Sequence, residues 1–164
     1  MRLGLNDCNE SVKLLPLLNN TPLRQIVIHP RIGRQQYKGN VDNEAFDYLY
    51  NEIDHPIIYN GDIHGVDDIC KIGSRYPRLS GVMIGRGLLA TPSMAMEYKQ
   101  GICLDGEQKL SLFLDLHEKL FHHYSEILQG DAQLLMKMKT VWDYQEMAIG
   151  HKALKSIKKS TTIA

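Results

Sequence analysis

The fold class that the sequence predicts is α/β, a parallel sheet built from βα units, followed by an all-helical part. Three observations predict it. Short β-branched runs, "RQIVIHP", "HPIIYNGDI" and "LSGVMIGRG", recur through residues 1–100. Helical patterns lie between them, and continuous apolar strands joined through helices belong to parallel sheets buried on both faces. After Pro92 the strand signals cease and the apolar spacing turns helical. The two parts are residues 1–100 and 101–164.

The elements follow in order. "NESVKLLPLLNN" is helix-like, with Pro16 expected to end or bend it. "RQIVIHP" is a core strand that runs into "RIGRQQYKG", a polar stretch. "VDNEAFDYLYNEI" is a helix capped by Asp42 or Asn43, with Phe46, Leu49, Tyr50 and Ile53 on one face. The next strand ends in Asn60-Gly61-Asp62. Asn-Gly is also the favoured hairpin turn, but a helical segment with Val66, Ile69 and Ile72 follows, which favours a parallel crossover. The third strand ends in Gly85-Arg86-Gly87. In "EQKLSLFLDLHEKLFHHYSEILQG" the expected inner face is Phe113, Leu116, Leu120, Tyr124 and Ile127, with Gly130 as the stop. Asp131 is the expected cap of the next helix, whose face includes Leu134, Met138, Val141 and Trp142. "HKALKSIKKS" completes the helical part.

Composition sets outer bounds. At 43% apolar and 23% charged residues, the chain of 164 residues belongs with soluble globular proteins of one ordinary domain. No apolar run approaches the ~18 residues of a membrane span. "MRLGLNDCNE" lacks a signal peptide's apolar core, so a cytoplasmic location is the expectation. Cys8, Cys70 and Cys103 are too scattered for a disulfide framework or a zinc site, and no metal site is expected. Net charge is zero, yet residues 137–164 hold six Lys against Asp143 and Glu146. A basic tail suits an anionic partner, or equally a solvated helix end.

In parallel α/β proteins the chemistry gathers where strands end. Here three consecutive strands end in groups able to bind a ligand: His29 and Arg31, then Asn60-Gly61-Asp62, then Gly85-Arg86. Glycine permits close backbone approach, and Arg86 supplies charge for a phosphate. Each motif alone is weak: Asp62 could cap the next helix, and His29 could be structural.

As a set, these residues resemble the flavin-dependent tRNA-dihydrouridine synthases. His29, Arg31, Gln35, Tyr37 and Gly39 fit that family's His-x-Arg-x-x-x-Gln-x-Tyr-x-Gly signature, and "PIIYNGDI" and "GVMIGRGLLATP" are similar to the segments after its seventh and eighth barrel strands. "MRLGL" is similar to the end of its fifth strand, and "MKTVWDY" to its C-terminal helical domain. The resemblance implies a partial (βα)8 TIM barrel, comprising its last four βα units, followed by a small all-helical tRNA-binding domain. It implies FMN as cofactor, NADPH or NADH as reductant, and tRNA as partner. His29, Asn60, Gly61, Asp62, Gly85 and Arg86 would face the cofactor; Arg31, Gln35 and Tyr37 would face the substrate. The family's Asn-x-Gly-Cys-Pro loop, which carries its catalytic Cys, has no counterpart in the sequence, so no catalytic residue is assigned. The expectation is a truncated form, inactive alone, that self-associates through open barrel edges. The alternatives are a non-catalytic RNA-binding remnant and another flavin-dependent barrel reductase.

Overall fold

The run "IVIHPRI" forms β2 (Ile26–Ile32), the longest of four strands in the computed structural model, which describes residues 1–163. It lies between β1 (Arg2–Gly4) and β3 (Ile57–Tyr59), and β4 (Gly81–Val82) completes a four-stranded sheet in chain order. Every pairing is parallel, so Asn60-Gly61 is a strand end and not a hairpin. The strand expected at "LSGVMIGRG" contributes only Gly81 and Val82 to the ladder. Between the strands lie α1 (Asn9–Val12), α2 (Leu15–Asn20), α3 (Asn43–Glu52) and α4 (Val66–Arg75).

Proline inside a central strand normally forfeits a ladder bond. Pro30 does not. The Ile26 N–H and Ile28 carbonyl bond toward β3, so Pro30 shares their side, and β3 has already ended there: its last bond is from the Asn60 N–H to the Ile28 carbonyl, 2.9 Å. β2 therefore overhangs β3, carrying Arg31 beyond the ladder. The Pro30 carbonyl accepts instead from the Asp42 N–H at 2.8 Å.

The core of this first unit, Met1–Gly85, sits between sheet and helices. Leu3, Ile26, Ile28, Ile57 and Tyr59 are buried together with Phe46, Leu49, Tyr50 and Ile53, the face expected for α3. Phe46 meets Tyr59 and Tyr76 edge-on, centroids 4.8 and 4.9 Å apart, within the favourable range for aromatic pairs. Asp42 is the α3 cap: its carboxylate accepts from the Ala45 N–H at 2.9 Å. Pro16 interrupts its segment as expected: α1 stops at Val12, whose carbonyl would need the N–H that Pro16 lacks, and Pro16 then lies in the first turn of α2, where that missing N–H costs nothing.

The second unit, from Arg86 onward, is helical. It comprises α5 (Arg86–Ala90), α6 (Met94–Gln100), α7 (Gly106–Ile127), α8 (Asp131–Val141), a 3₁₀ turn at Trp142–Tyr144, α9 (Glu146–Ile149) and α10 (His151–Lys159). Its centre is Phe113 against Trp142, edge-on at 4.9 Å, with His117 5.1 Å from the same indole. Leu116 and Ile127, expected on the inner face of α7, are exposed; the inward row is Phe113, His117, Leu120 and Tyr124. α7 stops at Ile127, before Gly130, and Gly130 instead precedes α8, with Asp131 as its first helical residue and no side-chain cap. Gln145 is buried and donates to the Leu89 and Ala90 carbonyls at 2.8 and 3.2 Å, closing the end of α5.

Candidate functional site

Alternation along β2 puts Ile26 and Ile28 in the helix-facing core and Val27, His29 and Arg31 on the opposite face. Arg31 ends this row and is 2% exposed. Its guanidinium meets the Asp62 carboxylate in a two-pronged pair, Nη1 to Oδ1 at 2.9 Å and Nη2 to Oδ2 at 2.5 Å. Nη2 also donates to the Gly39 carbonyl at 2.7 Å, and Nη1 lies 3.2 Å from His29 Nε2. A guanidinium can only donate, so His29 Nε2 accepts and the ring proton sits on Nδ1. Arg31 Nε is buried without a hydrogen-bond partner among the described residues.

Asp62 reaches Arg31 from an unusual backbone. Its φ is +41°, in the left-handed region that Asp tolerates better than most residues. It does not cap α4. That task falls to Asp68, whose carboxylate accepts from the His64 and Gly65 N–H groups at 2.9 and 3.2 Å. Gly61 is glycine for the protein's own packing: a Cβ there would lie 2.8 Å from Val41 Cγ1 and 3.2 Å from the Tyr59 hydroxyl. Burial, then the Asp62 charge, pushes the Tyr59 hydroxyl up to about 12, so it stays protonated.

The β1 end adds a further wall. Gly4 has φ +155°, and a Cβ there would stand 2.2 Å from the Asp7 carbonyl, so the turn demands glycine. Glu10 then accepts from the Leu5, Asn6 and Asp7 N–H groups, and these bonds hold its carboxyl below the usual range. Arg2 Nη1 donates to the Ile32 and Gly33 carbonyls at 3.3 and 3.2 Å, and its guanidinium stands 5.7 Å from the Tyr37 ring centre. Tyr37 is 62% exposed, its ring 6.3 Å from that of His29. Gln35 turns inward on its loop, donating to the Asn40 carbonyl at 2.7 Å.

A strand-end cluster of this composition, on parallel strands in this order, invites comparison with known proteins. The dihydrouridine synthase family model matches residues 1–161. The chain belongs to the dihydrouridine synthase family. A curated relative, a "Probable tRNA-dihydrouridine synthase" of Rickettsia bellii (strain RML369-C), is 25% identical over 135 residues, covering 77% of this chain and 41% of the relative. The chain thus spans about two fifths of that relative's length.

Within this family member, the structure brings His29, Arg31, Asp62 and the Gly39 carbonyl together, with Gln35 and Tyr37 on the loop between. Asn60 and buried Gly61 link β3 to Asp62. Gly85 closes the first unit, and Arg86 is the first residue of α5 in the second. Among the described residues no cluster of His, Cys, Asp and Glu is suited to a metal ion, and no helix is long and apolar enough to cross a membrane. Sequence reasoning missed Arg2 as a site-wall residue. Only the structure reveals it, since Arg2 opens β1 in register with His29.

Proposed function

We propose that the chain forms part of the flavin- and uridine-facing wall of an FMN-dependent tRNA-dihydrouridine synthase, its four βα units standing as the last four of the barrel. The observation that carries this reading is Arg31: a buried cation at a strand end, one donor short of complete, between His29 and Asp62. Such a donor fits the carbonyl-rich ring of a flavin or a uracil. The chemistry that a bound flavin brings is two-electron reduction of the uracil C5–C6 bond, with NADPH or NADH as reductant.

The chain's own residues bind and orient. His29, Asn60, Gly61 and Asp62 belong to the cofactor side, and Gly85 and Arg86 take the phosphate role that the family resemblance gives them. Arg31, Gln35 and Tyr37 belong to the base side. A uridine stacked in folded RNA must first be extruded, at about a few kcal/mol, which backbone contacts must offset. α10 offers those contacts. Lys158 is paired with Asp143 and His151 with Glu146, while Lys152, Lys155 and Lys159 form an exposed stripe at helical spacing. None of the cysteines is assigned as the acid: Cys70 and Cys103 are exposed, and burial, then Asp7, pushes the Cys8 thiol up. The outer strands β1 and β4 give self-association a route through backbone pairing.

The test is binding. The purified chain should quench FMN fluorescence and bind unmodified tRNA with steep salt dependence. Replacing Lys152, Lys155 and Lys159 with Gln should lower the slope of log K against log salt by roughly two to three. By mass spectrometry the chain alone should form no dihydrouridine in tRNA supplied with FMN and NADPH. Absence of both FMN and tRNA binding would overturn the reading.

A further inference from the structure

Arginine carries five N–H donors in a rigid plane. In Arg31 four are committed: two to the Asp62 carboxylate, one to the Gly39 carbonyl, one to His29 Nε2. The fifth, Nε–H, is buried and unpartnered among the described residues. A buried donor on a charged group that lacks an acceptor is disfavoured, and native structures keep few of them. The surroundings hold it in that state. The only non-glycine residues with positive φ among those described are Gln36, at +53°, and Asp62, at +41°. One lies in the loop that delivers the Gly39 carbonyl; the other delivers the carboxylate. Backbone conformations of this kind persist where the surroundings over-determine them, and they cluster at ligand sites.

We propose that Asp62 is a positioning residue: with the Gly39 carbonyl it locks the Arg31 guanidinium, leaving Nε–H to donate to a carbonyl oxygen of a bound pyrimidinedione ring. This rests on the functional reading above and changes one part of it. Asp62, there placed on the cofactor side, acts through Arg31. The lock explains why the carboxylate approaches end-on. A pair made through Nη1 and Nη2 leaves the Nε edge open, whereas a side-on pair would consume it. Two sources present the required chemistry, because the flavin ring and uracil both carry the same imide carbonyls.

The experiment is nuclear magnetic resonance on the ¹⁵N-labelled full chain, following the arginine Nε–Hε signals. The Arg31 signal is identified by its loss in Arg31→Lys. FMN is added in one arm and uridine 5′-monophosphate in the other, each to saturation as judged by amide shifts. The expected result is a downfield move of the Arg31 Nε–Hε signal in one arm, which names the source. In Asp62→Asn that signal should broaden or vanish while the amide spectrum stays dispersed, and affinity for the active probe should fall about tenfold. Asp62→Glu should restore part of both.

An Arg31 signal that stays fixed in both arms while a probe binds would overturn the inference and leave the functional reading standing. If neither probe binds, the inference falls, and the functional reading falls with it when tRNA binding is absent too. Loss of amide dispersion in Asp62→Asn would assign Asp62 to folding and overturn its positioning role, while the wild-type titration still decides whether Nε–H meets an acceptor.

Discussion

Helices α3 and α7 show how differently the two units hold together. α3 has ten residues and buries Phe46, Leu49 and Tyr50 against a sheet; α7 has 22 and buries Phe113 alone. The first unit concentrates burial in a few aromatic and β-branched side chains beside the strand-end cluster. The second leaves Leu112, Leu114, Leu116, Ile127 and Met136 exposed. Local opening is easiest where buried contacts are sparse. The lesson is that the unit carrying the Arg31–Asp62 pair is built to hold a geometry, and the helical unit is built with latitude.

The sharpest way to break this contrast is Phe46→Ala. Phe46 is fully buried and touches Tyr50, Tyr59 and Tyr76, so its loss should cost about 3–5 kcal/mol. Urea unfolding followed by circular dichroism measures it; a cost near 1 kcal/mol would show that the aromatic cluster is not the keystone. Phe113→Ala should come next, near the lower end of that range at about 3 kcal/mol, because α7 has solvent on its other sides. The chain's single tryptophan, Trp142, packs on Phe113, so its fluorescence reports this unit alone. Coincident transitions by both probes would merge the two units into one cooperative block.

Caps sharpen the comparison with a smaller effect. Asp42→Ala removes the α3 cap, and Asp105→Ala removes one half of a reciprocal cap in which Asp105 and Gln108 each accept from the other's N–H, at 2.8 and 3.0 Å. Each should cost about 1 kcal/mol by urea unfolding, with the loss seen by Trp142 only for Asp105.

Acidity should give the smallest effect and act first on the helical unit. Burial pushes His117 below its ordinary value of 6.5. The unfolded chain takes up the proton first, so the stability of this unit should begin to fall as pH drops through 6.5. A second decline follows at lower pH. Burial alone would raise Glu97, but Ser93 at 2.6 Å, the Leu104 N–H and Lys109 together hold it below 4.5. Its contribution is complete above 4.5 and lost as pH falls through the lower folded value. Trp142-monitored melts across this range check both, and His117→Gln should flatten the upper step.

Much of this was legible in the sequence. Phe46, Leu49, Tyr50 and Ile53 were readable because polar residues flank them on α3. The same logic held only in part on α7: Phe113, Leu120 and Tyr124 turn inward, but leucines occupy almost every side and spacing could not exclude Leu116 and Ile127; contact with Trp142 decides the row. Asp131 failed as a cap because Gly130 adopts φ +84° and takes the capping position. At the site, the residues at the strand ends were visible but their partnership was not. Arg31 and Asp62 are 31 positions apart, one on β2 and one beyond the end of β3, and only parallel register and the overhang of β2 bring them together. Gln145 was invisible for a similar reason, since its partners at Leu89 and Ala90 lie far away in the sequence.

The polar loop after β2 has a consequence for how this protein can diversify. Exposed loops usually absorb insertions and deletions freely. Here the Gly39 carbonyl must return to Arg31, while the Gly33 and Arg34 N–H groups bond back to the Gly4 and Leu5 carbonyls at 2.7 and 3.1 Å. Both ends of the segment are thus measured against fixed points at the ends of β1 and β2. One added residue between Gly33 and Gly39 would carry the carbonyl past the guanidinium. The length of this loop cannot vary, so a surface segment that looks permissive behaves as a ruler.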